Sequence, residues 1–418
     1  MCCRKGALGS FGEAAPFGAA VRDSPGMEGD IMAVSLNEEV RQDLVERGFS
    51  RRDFGRIAAL LGIGASAPAV LAAPALAQPQ SAARPAGKPV LIGANECWTG
   101  PFPAGVEAGA RAMVEGNRYD PDHLNDKLVE VVSRVDGVPQ THIRTWPGSS
   151  GPLVSVVAAY CSPEKGLVTA DPTFESAWRT AGYLNAPITK VPQPIGKGAD
   201  VRGMLAANPR AGLYYVCSPN NPTGTITPLA DIEWLLANKP ADSMLLVDEA
   251  YIHFSEAQSA ARLVQGRKDI IVLRTFSKLF GMAGVRLGLT FADPEVQKRI
   301  MLYNAAAPGL AITAMACGAA VYDKADLIRA RRNEMIAARE ETIAWLTAKG
   351  ITVQPGAQAN MFMVDWKKPA KEMQATLLAQ NVVIGRNWPI WPNASRITVG
   401  SASEMAAFRA AVGKVYKA

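Results

Sequence analysis

At 418 residues, 48% of them hydrophobic and 20% charged, the chain carries enough apolar material for two full cores. Its net charge of +6 is mild for that length and is gathered into no basic block or aromatic-interleaved basic stripe, so nucleic acid is excluded as an expected partner. Nothing repeats at a fixed period, and the cysteines fall at no metal-binding spacing, so repeat architectures and structural metal sites are excluded too.

In chain order, residues 1–77 are expected to stand outside the fold. Ser50 to Arg56 reads SRRDFGR and leads through Ile57-Ala58-Ala59-Leu60-Leu61 and an Ala/Gly/Pro-rich apolar stretch to Ala75-Leu76-Ala77. Paired arginines, an apolar segment and a small-x-small site are the parts of an export signal. Arg51 and Arg52 with Phe54 resemble the twin-arginine class, which implies a periplasmic protein cleaved after Ala77; a retained membrane anchor is the alternative. Met1, Met27 and Met32 are all candidate starts. Because that route carries folded cargo, Cys97, Cys161, Cys217 and Cys317 are expected as buried free thiols.

A linker follows, then a short strand at 89–92 and the irregular loop GANECWTGPFPAG. A helix is expected from about Ala104 to Asn117, then a turn presenting Tyr119, then an amphipathic helix from Asn125 to Val135. The strand at 141–147 ends in Gly148-Ser149-Ser150-Gly151 and passes into an apolar helix from Leu153. That order places backbone N–H groups and hydroxyls at a helix N-terminus, where an anion is favoured. The strand at 166–170 leads to Asp171-Pro172-Thr173-Phe174.

Three apolar runs, 212–216, 244–247 and 270–273, alternate with helical stretches at 229–238 and roughly 255–265. Crossovers of this length imply parallel strands whose carboxyl ends share one edge. At those ends stand SPNNPTG (218–224), DEAY (248–251) and TFSK (275–278), so Asn221, Asp248, Tyr251 and Lys278 converge where open α/β sheets bind ligands. A lone amine at a strand end, with hydroxyls and Arg286 nearby, suits a Schiff base to a phosphorylated aldehyde. Past a strand at 287–291 and a helix at 294–302, a long helix runs from 325 to 349. Short strands at 360–364 and 396–399 between helices then suggest a smaller α+β domain.

With these motifs in this order, residues 89–418 resemble the fold-type I pyridoxal-phosphate aminotransferases, nearest the histidinol-phosphate branch. The resemblance implies an α/β fold: a large domain with a mostly parallel sheet flanked by helices, plus a smaller α+β domain. It divides the chain into an extension and signal (1–77), a linker and arm (78–118), a pyridoxal-phosphate-binding domain (119–305) and a small domain (306–418). It implies that Lys278 forms the Schiff base and moves the substrate proton, and that Asp248 keeps the pyridine nitrogen protonated. Asn221 and Tyr251 would bond the phenolic oxygen, and Phe174 would stack on the ring. The phosphate would be held by Ser149, Ser150, Thr275, Ser277 and Arg286, with Tyr119 reaching the neighbouring subunit's site in a homodimer. Arg396 and Arg386 match arginines that bind the substrate's anionic group.

The sequence departs from that family where substrate is chosen. Asn95-Glu96 and Gly100-Pro101 match its amino-terminal loop, but Cys97-Trp98-Thr99 replaces an Asn-Pro-aromatic run. Asn95 and Trp98 are therefore substrate-side candidates. Trp388 and Trp391 lie between the two arginines, either as an aromatic wall or as packing. The expected activity is transfer of an amino group between an amino acid and a 2-oxo acid; oxidation, elimination or decarboxylation on the same scaffold is the alternative.

Overall fold

The computed structural model describes residues 36–61, 88–304 and 309–416. Two helices come first, α1 (Glu38–Glu46) and α2 (Asp53–Leu60). The chain continues through β1 (Val90–Ile92), α3 (Pro103–Met113), α4 (Leu124–Asp136), β2 (Ile143–Trp146), α5 (Ser150–Tyr160), β3 (Leu167–Asp171), α6 (Ser176–Tyr183), β4 (Ile188–Pro192) and α7 (Val201–Ala207). Next come β5 (Leu213–Cys217), α8 (Leu229–Asn238), β6 (Met244–Asp248), β7 (Ile270–Thr275), β8 (Gly288–Phe291) and α9 (Pro294–Leu302). The last part holds α10 (Ile312–Val321), α11 (Ala325–Ala348), β9 (Thr352–Val353), β10 (Met361–Asp365), α12 (Ala370–Leu378), β11 (Val382–Ile384), β12 (Ala394–Thr398) and α13 (Ala402–Val415).

One sheet runs in the order β2-β8-β7-β6-β5-β3-β4. Its strands from β7 to β4 are parallel, and β8 lies antiparallel to both of its neighbours. β5 and β6 are buried along their whole length, which is why they read as unbroken apolar runs rather than as alternation. Helices cover both faces, so the sheet separates two apolar clusters, one around Val216, Val247 and Val272, the other around Tyr215, Leu246 and Ile271. The carboxyl-terminal segment forms a second core on the antiparallel sheet β12-β10-β9, with Phe362, Trp366 and Phe408 inside it. β1 crosses from the amino-terminal side to pair in parallel with β11.

Two expectations change. Residues 36–61, expected outside the fold, pack against it: Leu36, Val40, Leu44, Phe49, Ile57 and Leu60 join the cluster that includes Leu153, Val157 and Leu184. The reason is amphipathicity, since Val40 and Leu44 sit one turn apart on α1. Arg47 then caps the end of α5, donating at 2.8 Å to Ala158 O and 2.5 Å to Cys161 O. The Ala75-Leu76-Ala77 site lies outside the described residues. The helix expected near 255–265 is instead two short 3-10 turns, Ile252–Phe254 and Ala260–Val264. Glu249 accepts bonds from Ser259 Oγ at 2.7 Å and Ala260 N at 2.6 Å, which fixes the segment in a non-helical path.

Cys97, Cys161, Cys217 and Cys317 are free and buried, as expected. Among the described residues no helix is long and apolar enough to cross a membrane, and no cluster of His, Cys, Asp and Glu could hold a metal.

Candidate active site

Parallel ladders set the ends of β5, β6 and β7 level, with Cys217 opposite Asp248 and Asp248 opposite Leu273. Asp248 and the turn after Thr275 therefore reach one rim. There the Lys278 Nζ donates at 3.2 Å to Asn95 O and 3.5 Å to Ala94 O, and lies 5.6 Å from the centre of the Tyr251 ring. The Asn95 side chain donates to Tyr251 Oη at 3.0 Å. Asn95 adopts a left-handed conformation (φ 55°), which asparagine tolerates and which shapes the turn presenting those carbonyls. No carboxylate pairs with Lys278 among the described residues. Loss of hydration, with repulsion from Arg396 and then Arg286 outweighing the pull of Glu96 and Asp248, brings its amine down to about 8.

Asp248 is 3% exposed. Burial pushes its carboxyl up to about 6, against bonds from Tyr215 Oη (2.9 Å) and Ala250 N (3.1 Å) that favour the ionised form. No basic side chain pairs with it among the described residues. Tyr215 is not singled out by any motif; its one signal in the sequence is a phenol in a buried strand, which requires a partner.

A second group lies beside it. Thr275 Oγ1 donates to Ser277 Oγ at 2.9 Å, and Arg286 Nη1 is 3.4 Å from the same hydroxyl. Arg286 is itself left-handed (φ 66°), a costly conformation for a non-glycine residue, and its guanidinium lies over Gly148, where a Cβ would collide with it. Ser149 begins α5 without capping it, and Ser150 is the exposed first helical residue. Uncapped N–H groups, four hydroxyls and a guanidinium thus surround a position fit for a phosphate.

Arg396 is the third piece, 7% exposed on β12. It donates to Asn221 Oδ1 at 2.7 Å and to Gly93 O, its Nε has no partner, and no carboxylate pairs with it among the described residues. Burial, with Arg386 nearby, lowers it to about 10 even though Tyr251 pulls the other way. Asn221 is turned toward Arg396. The rest of SPNNPTG is structural: Asn220 bonds Pro172 O at 3.0 Å, Gln193 Oε1 at 2.9 Å and Thr173 Oγ1 at 2.7 Å, fixing the segment that carries half-buried Phe174.

Three further candidates remain. Tyr119 is 96% exposed, and nothing among the described residues covers it. Trp98 lines a cavity of about 340 Å³ with Glu96, Cys97, Gly281, Thr398 and Glu404. Arg386 is ion-paired with Glu175 at 2.5 Å. Trp388 is fully buried, with Nε1 donating to Thr173 O at 3.3 Å, so it packs rather than forming a wall around substrate.

These residues fit pyridoxal phosphate by their donor set: an amine without an acid, a buried acid without a cation, and an anion cradle beside them. The family model for aminotransferase class I and II matches residues 88–412. The aromatic amino acid aminotransferase of Rhodococcus jostii (strain RHA1) is 32% identical over 323 residues, 77% of this chain and 88% of that one. The histidinol-phosphate aminotransferase of Symbiobacterium thermophilum is 31% identical over 336 residues, 78% of this chain and 91% of that one. Among solved structures, histidinol-phosphate aminotransferase from Sinorhizobium meliloti, in complex with pyridoxal-5'-phosphate, superposes with a TM-score of 0.71 at 25% identity, covering 78% of this chain and 90% of that one.

Proposed function

Because the chain belongs to the class I and II aminotransferase family, we propose that it moves an amino group between an amino acid and a 2-oxo acid, using pyridoxal phosphate held by Lys278, as an exported homodimer. Lys278 carries the reading: its amine is held by backbone carbonyls, paired with no acid among the described residues, and brought to about 8. Such an amine can give up and take back a proton near neutral pH. When bound, the cofactor supplies a protonated pyridine ring that draws electrons from the substrate α-carbon.

The chain's own residues do the rest. Asp248 meets the pyridine nitrogen with a buried carboxylate that gains a cation partner there. Tyr251 and Asn221 direct polar groups to the phenolic oxygen, and Phe174 covers a ring face. Ser149, Ser150, Thr275, Ser277 and Arg286 hold the phosphate. Arg396 takes the substrate carboxylate, for which its partnerless Nε is a ready donor. Asn95 orients Tyr251 and, with Trp98, bounds the substrate side.

The homodimer is supported by exposed apolar residues in the segment that precedes Tyr119: Val106 at 53%, Met113 at 66% and Val114 at 82%. Tyr119 would serve the partner's phosphate. Export is supported by Arg51 and Arg52, which stay exposed just before α2 and so can be read on the folded protein. Changing both to lysine should leave the protein in the cytoplasm in a fractionation experiment; unaltered secretion would contradict the assignment.

The reaction is tested by giving the loaded enzyme single amino acids with and without a 2-oxo acid. Transamination yields oxo acid stoichiometric with enzyme when no acceptor is present, and turns over only when one is added. Ammonia and peroxide formed without an acceptor would overturn it.

A further inference from the structure

The two arginines of the substrate side are in opposite electrostatic states. Arg396 is buried, donating to the Asn221 amide oxygen and the Gly93 carbonyl beside the Trp388 indole, and no carboxylate pairs with it among the described residues. Arg386, two residues past β11, already holds a carboxylate: Glu175 Oε2 lies 2.5 Å from its Nη1, with side-chain exposures of 12% for the acid and 33% for the arginine. Both guanidiniums rest on the same indole, Arg386 with its Cζ 4.9 Å and Arg396 with its Cζ 5.7 Å from the Trp388 ring centre. Backbone pairing also joins their segments, Arg396 N to Arg386 O at 3.3 Å and Gly385 N to Arg396 O at 2.8 Å. Glu175 follows Phe174 and sits at the amino end of α6, where the helix dipole favours an acid, and Arg179 holds it from one turn later at 2.8 Å.

Resting on the reading of Arg396 as the clamp for the substrate carboxylate, we infer that Glu175 fills the second anion site from within the chain and so restricts the enzyme to substrates whose side chain carries no negative charge. A second anion on the substrate can reach Arg386 only by displacing a carboxylate that is tethered beside it. A tethered group competes at an effective concentration in the millimolar range or above. Until displaced, that carboxylate repels the incoming one in a partly dry site, where like charges are most costly. Glu175 is a specificity-determining residue, acting through Arg386.

The test uses the cofactor-loaded full chain and reads binding separately from turnover. Affinities for two unreactive acids, butyrate with one carboxylate and succinate with two, are measured by calorimetry for the native protein, Glu175→Gln, and Glu175→Gln combined with Arg386→Met. The native protein should bind succinate no better than butyrate. Glu175→Gln should shift the ratio at least tenfold toward succinate, and adding Arg386→Met should remove that gain. The kcat/KM ratio of glutamate to a neutral amino acid should move in parallel, through KM. Native preference for succinate, or an unchanged ratio in Glu175→Gln, would overturn the inference. If neither glutamate nor any neutral amino acid turns over while the binding ratio shifts as stated, the proposed reaction fails and the occupied anion site stands.

Discussion

Lys278→Ala should abolish the cofactor's visible absorbance and lower turnover of every amino donor by about 10³-fold or more, the range a positioned acid–base residue contributes. Both losses are expected together, because one amine holds the cofactor and moves the proton. Absorbance scanning of purified variant and native protein, followed by single-turnover kinetics, checks them; native-like turnover in Lys278→Ala would remove the central assignment. An added small amine should restore part of the proton transfer, which a merely misfolded variant would not allow.

The same amine sets a pH dependence in the cofactor-free protein. Its folded-state value of about 8 lies below the ordinary lysine value of roughly 10.4. Between those values the unfolded chain holds more protons than the folded one, so stability contributed by this site rises with pH across that window and is lowest below it. Removing Arg396, the larger of the two repelling cations, moves the amine upward and narrows the window.

The parallel ladder was legible because unbroken apolar runs recur at crossover spacing, and the chemistry was legible because its residues lie at the ends of those runs. β8 pairs antiparallel to β7, which hydrophobic period does not encode. α10 was missed because it is apolar nearly all round and presents no stripe to detect. Glu175 was missed for a different reason: its meaning lies in a partner 211 residues away, and local patterning carries no trace of that pair. The opening helices were read only as an export signal, although α1 spaces Val40 and Leu44 for burial.

The DEAY motif holds one residue that the site does not use, and it supports the largest expected loss of stability. Glu249 is 1% exposed and accepts from Arg274 Nη2 at 2.8 Å, while Arg274 Nη1 pairs with Asp136 at 2.5 Å and donates to Tyr322 Oη at 2.6 Å. Arg274 and Thr275 are successive on β7, so they face opposite sides of the sheet, one toward this network and one toward the phosphate cradle. The network ties β6 and β7 to α4 and to the residue that follows α10, and so fixes the height at which Asp248 and Lys278 emerge. Arg274→Met strands two acids that have lost their cation, and should cost about 3–5 kcal/mol of unfolding free energy by denaturant titration. Glu249→Leu in the same chain removes one stranded acid, and since a buried ion pair can be exchanged for apolar groups at little net cost, the double variant should recover part of that loss. A double variant less stable than Arg274→Met would mean that the Glu249 carboxylate stabilises this region chiefly through Ser259 and Ala260, with the arginine secondary.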